Sequence, residues 1–152
     1  MKQRDQVAMT PEEIATLLAE SRKVHLATIG QGGMPHLVTM YYVMIDGQIT
    51  FWTYRASQKA VNLAADPRIS CLVESGEQYF DLRGIQVQGV ARKIDDPAAV
   101  MQIGRLITAM LSGQDATELD EYVERAARKR VGYAVEPRRV ISWDHSKLLP
   151  GG

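Results

Sequence analysis

The sequence predicts an α+β protein, mainly β with flanking helices, whose body is an antiparallel sheet curled into a barrel. Two observations predict it. Runs of strand length are joined by short turn signals, so hairpins dominate and neighbouring strands run antiparallel. One run, His36–Ile45 ("HLVTMYYVMI"), is apolar or aromatic on both faces. An antiparallel strand normally keeps one face wet, so this strand needs cover on two sides. A closed barrel covers one side, and a partner such as a second copy of the chain covers the other.

The elements follow in order. "MTPEEIATLLAESR" is a helix: Thr10 is its N-cap, Pro11 takes the first helical position, and Glu13 completes a capping box. Ile14, Leu17 and Leu18 form its apolar stripe. Val24–Ile29 is a strand, Gly30–Gly33 ("GQGG") a turn, and His36–Ile45 the second strand. Asp46–Gly47 is a hairpin signal leading into "QITFWTY", the third strand. A short helix begins at Ser57 and stops before Pro67, and Arg68–Glu74 is a fourth strand. "FDLRGIQVQGVARKID" is one long strand, with Ile85, Val87 and Gly89 facing one way and Gln86 and Gln88 the other. Asp95 and Asp96 open a helical region that reaches about Lys129, with a break near "SGQDA". Its second half places acids first and bases last, as a helix dipole prefers. "VGYAVE" and "RRVISWD" are the two final strands, and the tail "HSKLLPGG" is irregular. The whole, residues 1–152, is expected to be a single domain.

Composition narrows the function. The 152 residues are 45% hydrophobic and 24% charged, an ordinary soluble balance. Eighteen basic residues offset eighteen acidic ones, so nucleic acid and anionic membranes are not expected as partners. No apolar run has transmembrane length, and "MKQRDQVAMTPEE" lacks the apolar core of a signal peptide. Cys71 is alone, without disulfide or zinc spacing, and reads as a buried strand residue; a reducing cytoplasm fits.

The chemistry concentrates at "TYRASQKAVNLAADPR". Lys59 sits at the start of a helix, Arg55 stands just ahead, and no acid occurs from Gly47 to Ala65. A helix N-terminus is already partly positive, so cations there run against the local rule. With Ser57 as N-cap, free backbone N–H groups, a hydroxyl and an ammonium converge, which suits a phosphate. The competing reading is a surface helix whose cations point into water, at a cost of about 0.3–1 kcal/mol. Local sequence leaves both standing. Elsewhere the signals are structural. "GQGG" lacks the lysine and helix of a P-loop, and His25, His36 and His145 have no metal-ligand spacing. Met101, Ile103, Leu106, Ile107 and Met110 fit a helix core. Trp143, followed by Lys147, stands near the C-terminus, where a plain core needs nothing; the competing reading of Trp143 is a packing residue.

The stretch from "LATIGQGG" through "SQKAVNL", "DPR" and "LRG" to "SWDHSKL" resembles the split-barrel flavin-binding family related to pyridoxamine 5′-phosphate oxidase. Within it the chain is most similar to the B branch of the flavin/deazaflavin oxidoreductases. The likeness covers about His25 to Lys147. It implies an FMN-binding type of split barrel and a homodimer with two cofactors at the interface. It further implies that Ser57 and Lys59 bind a phosphate, with Arg55 and Gln58 in the same loop. Val38, Thr39, Met40, Trp52 and Thr53 would line the ring, and Trp143 and Lys147 would reach it from the other subunit.

Departures matter as well. The arginine- and histidine-bearing C-terminal motif of the authentic oxidase is missing, and its flavin-contacting glutamine is replaced by Gly84. Both argue against pyridoxamine phosphate oxidation. The histidine-containing extension of the heme-degrading relatives is missing too. The resemblance therefore implies coenzyme F420 as cofactor, with FMN as the alternative, and hydride transfer to or from a small unsaturated, apolar or aromatic substrate. Met40, Trp52 and Trp143 are expected walls, and Tyr41, Tyr42, Lys147 or solvent the expected proton sources. A carrier without turnover is the expectation from a different functional class.

Overall fold

The computed structural model describes residues 1–113 and 119–151. Its helices are α1 (Gln3–Val7), α2 (Pro11–Glu20), α3 (Gln58–Ala65), α4 (Pro97–Ser112) and α5 (Asp120–Ala127). Its strands are β1 (Lys23–Ile29), β2 (Pro35–Tyr41), β3 (Val43–Ile45), β4 (Gln48–Tyr54), β5 (Arg68–Ser75), β6 (Arg83–Ile94) and β7 (Arg130–Asp144). They form one antiparallel sheet in the order β2-β1-β5-β6-β7-β4-β3.

That order explains the split barrel. The two outermost strands, β2 and β3, are consecutive in sequence and separated only by Tyr42. The second strand is therefore not continuous, as its composition predicts, but bends at Tyr42 and changes partner. Before the bend it pairs with β1, and after it Val43–Ile45 pairs with Gln48–Thr50. The bend is anchored, because the Tyr42 hydroxyl donates to the Leu18 carbonyl of α2 at 2.6 Å and the ring is 1% exposed. Beyond Thr50, the rest of β4 has β7 on one side and no strand on the other. The barrel is open there, between β2 and β4.

The turn into β4 is the one Asp46–Gly47 predicts. Asp46 has φ 51° and Gly47 φ 73°, the positive angles of a hairpin turn that matches strand twist. Inside the barrel, Val24, Leu26, Phe51, Cys71, Val73, Ile85, Val131 and Val135 are buried with Leu17 of α2 and Leu63 of α3. Phe51 stacks on Tyr133 at 5.5 Å. Cys71 is 1% exposed, as its strand reading requires. Outside, α4 lies over β4 and β7.

Three further expectations shift. The final two strands are one, β7, which runs through Pro137. A register shift between Gln88 and Gly89 places Pro137 opposite Gly89, where a bulge absorbs the missing N–H. The long strand starts only at Arg83, because Tyr79–Asp81 forms a 3₁₀ turn. The tail orders as another such turn, His145–Leu148. Of the predicted break, Gly113 caps α4 with φ 67°, while residues 114–118 lie outside the described residues. The outward face of β2 is uncovered within one chain: Leu37 is 70% exposed and Tyr41 46%.

Candidate functional site

The opening between β2 and β4 leads to the start of α3. Ser57 is the N-cap: its backbone is extended and its Oγ accepts from the Ala60 N–H at 3.3 Å. Lys59 is consequently the second helical residue, as predicted. Its ammonium does not point into bulk water. Lys59 Nζ donates to Thr53 Oγ1 at 3.1 Å, and Thr53 Oγ1 donates to Ser57 Oγ at 3.2 Å. Thr53 is buried, so this short chain of bonds is fixed at the end of β4. Ser57 Oγ accepts twice, which leaves its own proton free to donate outward.

Lys59 has no carboxylate within ion-pair distance among the described residues. Burial alone lowers its pKa. A partly desolvated, unpaired ammonium at the positive end of a helix is an unfavourable arrangement in isolation. An anion from outside relieves it.

A cavity of about 360 Å³ occupies the opening. Thr39, Met40, Trp52, Thr53 and Lys59, all singled out from sequence, line it. Tyr41 and Tyr54, Ile107 and Leu111 of α4, and Arg130 of β7 complete it. Trp52 has two close neighbours: a Cβ on Gly104 of α4 would meet its ring at 2.5 Å, and the Arg130 guanidinium lies over the ring, 4.9 Å from its centroid. Backbone groups of β4 that face the gap have no strand partner, so polar edges flank an otherwise largely apolar slot.

Other predicted residues lie elsewhere. The Arg55 side chain lines neighbouring cavities toward α3, α4 and β6, not this one. Gln58 Nε2 donates to Asn62 Oδ1 at 2.7 Å, and Asn62 Nδ2 donates to Thr28 Oγ1 at 3.1 Å, so Gln58 helps tie α3 to β1. Val38 packs against the core. Trp143 lies across Gly84, whose missing side chain leaves room for the indole; that is how the glycine departure is accommodated. Lys147 Nζ donates to Glu13 Oε1 at 2.7 Å and to the Ala8 carbonyl at 3.0 Å, and this bond holds the Glu13 carboxyl below its usual range. Neither Trp143 nor Lys147 lines the cavity of its own chain. Tyr42 is a poor proton source, since its hydroxyl is engaged and burial pushes it up to about 12.

Arg130, Tyr54, Ile107 and Leu111 escape sequence reading. Arg130 looks like one of several bases ending a helix. The signal for α4's role is Gly104, a glycine inside a helical pattern, where it costs about 1 kcal/mol relative to Ala and so points to a close approach. Among the described residues, no cluster of His, Cys, Asp and Glu fits a metal, and no helix is long and apolar enough to cross a membrane.

An antiparallel barrel split beside an anion-ready helix start defines a split-barrel protein of the flavin-binding type. Residues 10–144 match the family model for pyridoxamine 5′-phosphate oxidase, and the chain belongs to that family. A curated pyridoxine/pyridoxamine 5′-phosphate oxidase from Cupriavidus metallidurans is 30% identical over 149 residues, spanning 91% of this chain and 68% of the relative. Among solved structures, a conserved hypothetical protein from Mycobacterium tuberculosis is 44% identical, with TM-score 0.92 over 99% of this chain and 94% of the other. An F420 reductase shares the fold at 21% identity, with TM-score 0.68 over 86% of this chain and 98% of that one.

Proposed function

We propose that the protein is an oxidoreductase that binds coenzyme F420 in the split of its barrel and works as a homodimer. The observation that carries the binding of a phosphate-bearing coenzyme is Lys59: half-buried, bonded to Thr53, and, among the described residues, without a carboxylate partner at the head of α3. The α3 amides, the Ser57 hydroxyl proton and the Lys59 ammonium would hold the phosphate. Thr39, Met40 and Trp52 would wall the ring, with the unpaired edge of β4 available to its polar rim. When bound, the coenzyme supplies hydride transfer, while the chain supplies position and dryness. Dimer formation would cover Leu37 and Tyr41 and bring the partner's Trp143 and Lys147 toward the ring.

The same cradle fits FMN, because the two coenzymes share a ribityl phosphate. Preference for F420 rests on the resemblance to the deazaflavin branch and on the fold shared with an F420 reductase. A carrier role is the second reading. It is favoured by the burial of Tyr42 and by the lack of any carboxylate or histidine among the described residues lining the cavity. Titration with F420 and with FMN, followed by stopped-flow reoxidation against enones and quinones, tests all of these. Tight F420 binding with turnover is expected. Binding without turnover establishes the carrier, tighter FMN binding establishes the alternative cofactor, and no binding overturns the assignment of the cavity.

A further inference from the structure

Burial and hydrogen bonding disagree at one side chain of the barrel, Tyr133 of β7. It is 4% exposed, and its ring stacks on Phe51 at 5.5 Å. A Tyr hydroxyl at that depth normally finds a partner. The Tyr133 hydroxyl has none among the described residues, yet it is not sealed in. Tyr133 borders a cavity of about 340 Å³ beneath α3. Burial also pushes its pKa up, so the phenol keeps its proton and donates at neutral pH.

Two cations stand at the same cavity. Lys93 is the cross-strand partner of Tyr133, so both side chains leave the sheet on one face. Arg55 lines it from the loop before α3, where the Arg55 N–H donates to the Lys129 carbonyl at 3.0 Å. Neither cation has a carboxylate within ion-pair distance among the described residues, and no acid among them lines the cavity. The remaining walls are apolar, chiefly Val61, Leu63 and Ala64 of α3 and Ala91 of β6. The volume lies at the lower end of ordinary small-molecule sites. We infer that this cavity binds a small organic carboxylate with an apolar body. The Tyr133 hydroxyl and the two cations take the carboxylate, and the α3 wall takes the body. The site shares no lining residue with the slot between β2 and β4, so it does not rest on the coenzyme reading.

Octanoate and benzoate are the probes, and octanamide is the uncharged control. Isothermal titration of the full chain is expected to show saturable carboxylate binding that salt weakens, and no binding of octanamide at the same concentrations. Tyr133→Phe removes a hydroxyl without a partner and keeps the ring stack, so a thermal melt should match wild type. Its carboxylate affinity should fall about tenfold or more, the scale of one hydrogen bond to a charged group. Lys93→Glu, at an exposed position, should weaken binding by about three- to thirtyfold, as an attraction becomes a repulsion of similar size. Four results overturn the inference: no saturable binding of either carboxylate, equal affinity for octanamide, unchanged affinity in Tyr133→Phe with its fold intact, or competitive displacement of octanoate by F420 or FMN. Should Tyr133→Phe lose its fold, Lys93→Glu decides, and unchanged affinity there overturns the site. A chain that binds octanoate but neither coenzyme leaves this site standing and removes only the coenzyme reading.

Discussion

Replacing Lys59 by methionine removes one ammonium while keeping most of the side-chain volume. Among the described residues that ammonium makes one hydrogen bond, to Thr53 Oγ1 at 3.1 Å, and burial disfavours its charge. Its loss should leave stability unchanged or slightly raised at neutral pH. The sign follows from linkage. The folded pKa lies below the ordinary 10.5, so the unfolded chain binds more protons between the two values. Stability of the empty wild type therefore rises with pH across that alkaline window, and Lys59→Met flattens the rise. Ligand binding should respond oppositely. A charge-assisted hydrogen bond to a phosphate is worth about 1.5–3 kcal/mol, so affinity for F420 or FMN should fall roughly 10- to 150-fold. Isothermal titration at fixed ionic strength gives the affinity, and a thermal melt of the empty protein gives the stability. Unchanged affinity would refute the cradle. A large drop in stability alongside it would show that Lys59 holds the fold together rather than a ligand.

Gly104→Ala should destabilise by about 1–3 kcal/mol, because the overpacking it causes outweighs the better helix propensity of alanine. The new Cβ would lie 2.5 Å from the Trp52 ring and 2.9 Å from Val123, so a raised melting temperature would contradict the packing described. Tyr42→Phe should cost about 0.5–1.5 kcal/mol for the lost bond to Leu18, in chemical denaturation, without altering the pH profile of turnover. Glu13→Gln should flatten the acid limb of the stability curve. The Lys147 bond lowers the Glu13 pKa from 4.5, so its contribution is present above that value and lost as pH falls through the lowered folded one. Cys71 should resist a thiol-specific reagent until the protein unfolds, since it is 1% exposed and burial pushes its pKa up to about 12.

Elements with local chemistry are legible in the sequence. The Thr10–Glu13 capping box, the Ser57 cap and the Asp46–Gly47 turn each satisfy nearby backbone groups, so a few adjacent residues specify them. Features set by distant partners are not. The bend at Tyr42 depends on β1 and β4 both claiming one strand, which an apolar run cannot announce. Pro137 looks like a strand breaker until Gly89, far away in sequence, supplies the bulge. The site divides the same way. Lys59 stands out because it breaks a rule about helix ends, and Ser57 because it caps the same helix. Arg130 obeys that rule, so nothing local marks its second position over Trp52 and Tyr54.

The sheet order also dictates when the cavity comes into being during synthesis. β4 is made early, but its remaining neighbour is β7, the last strand, and Arg130 heads that strand. Chains emerge N-terminus first, and pairings between distant segments must wait for both. A polypeptide halted after α5 carries Ser57, Lys59 and Trp52 but lacks the rail that sets them in place. Such a fragment should be blind to ligand rather than merely weak, so ligand capture reports that β7 has paired with β4.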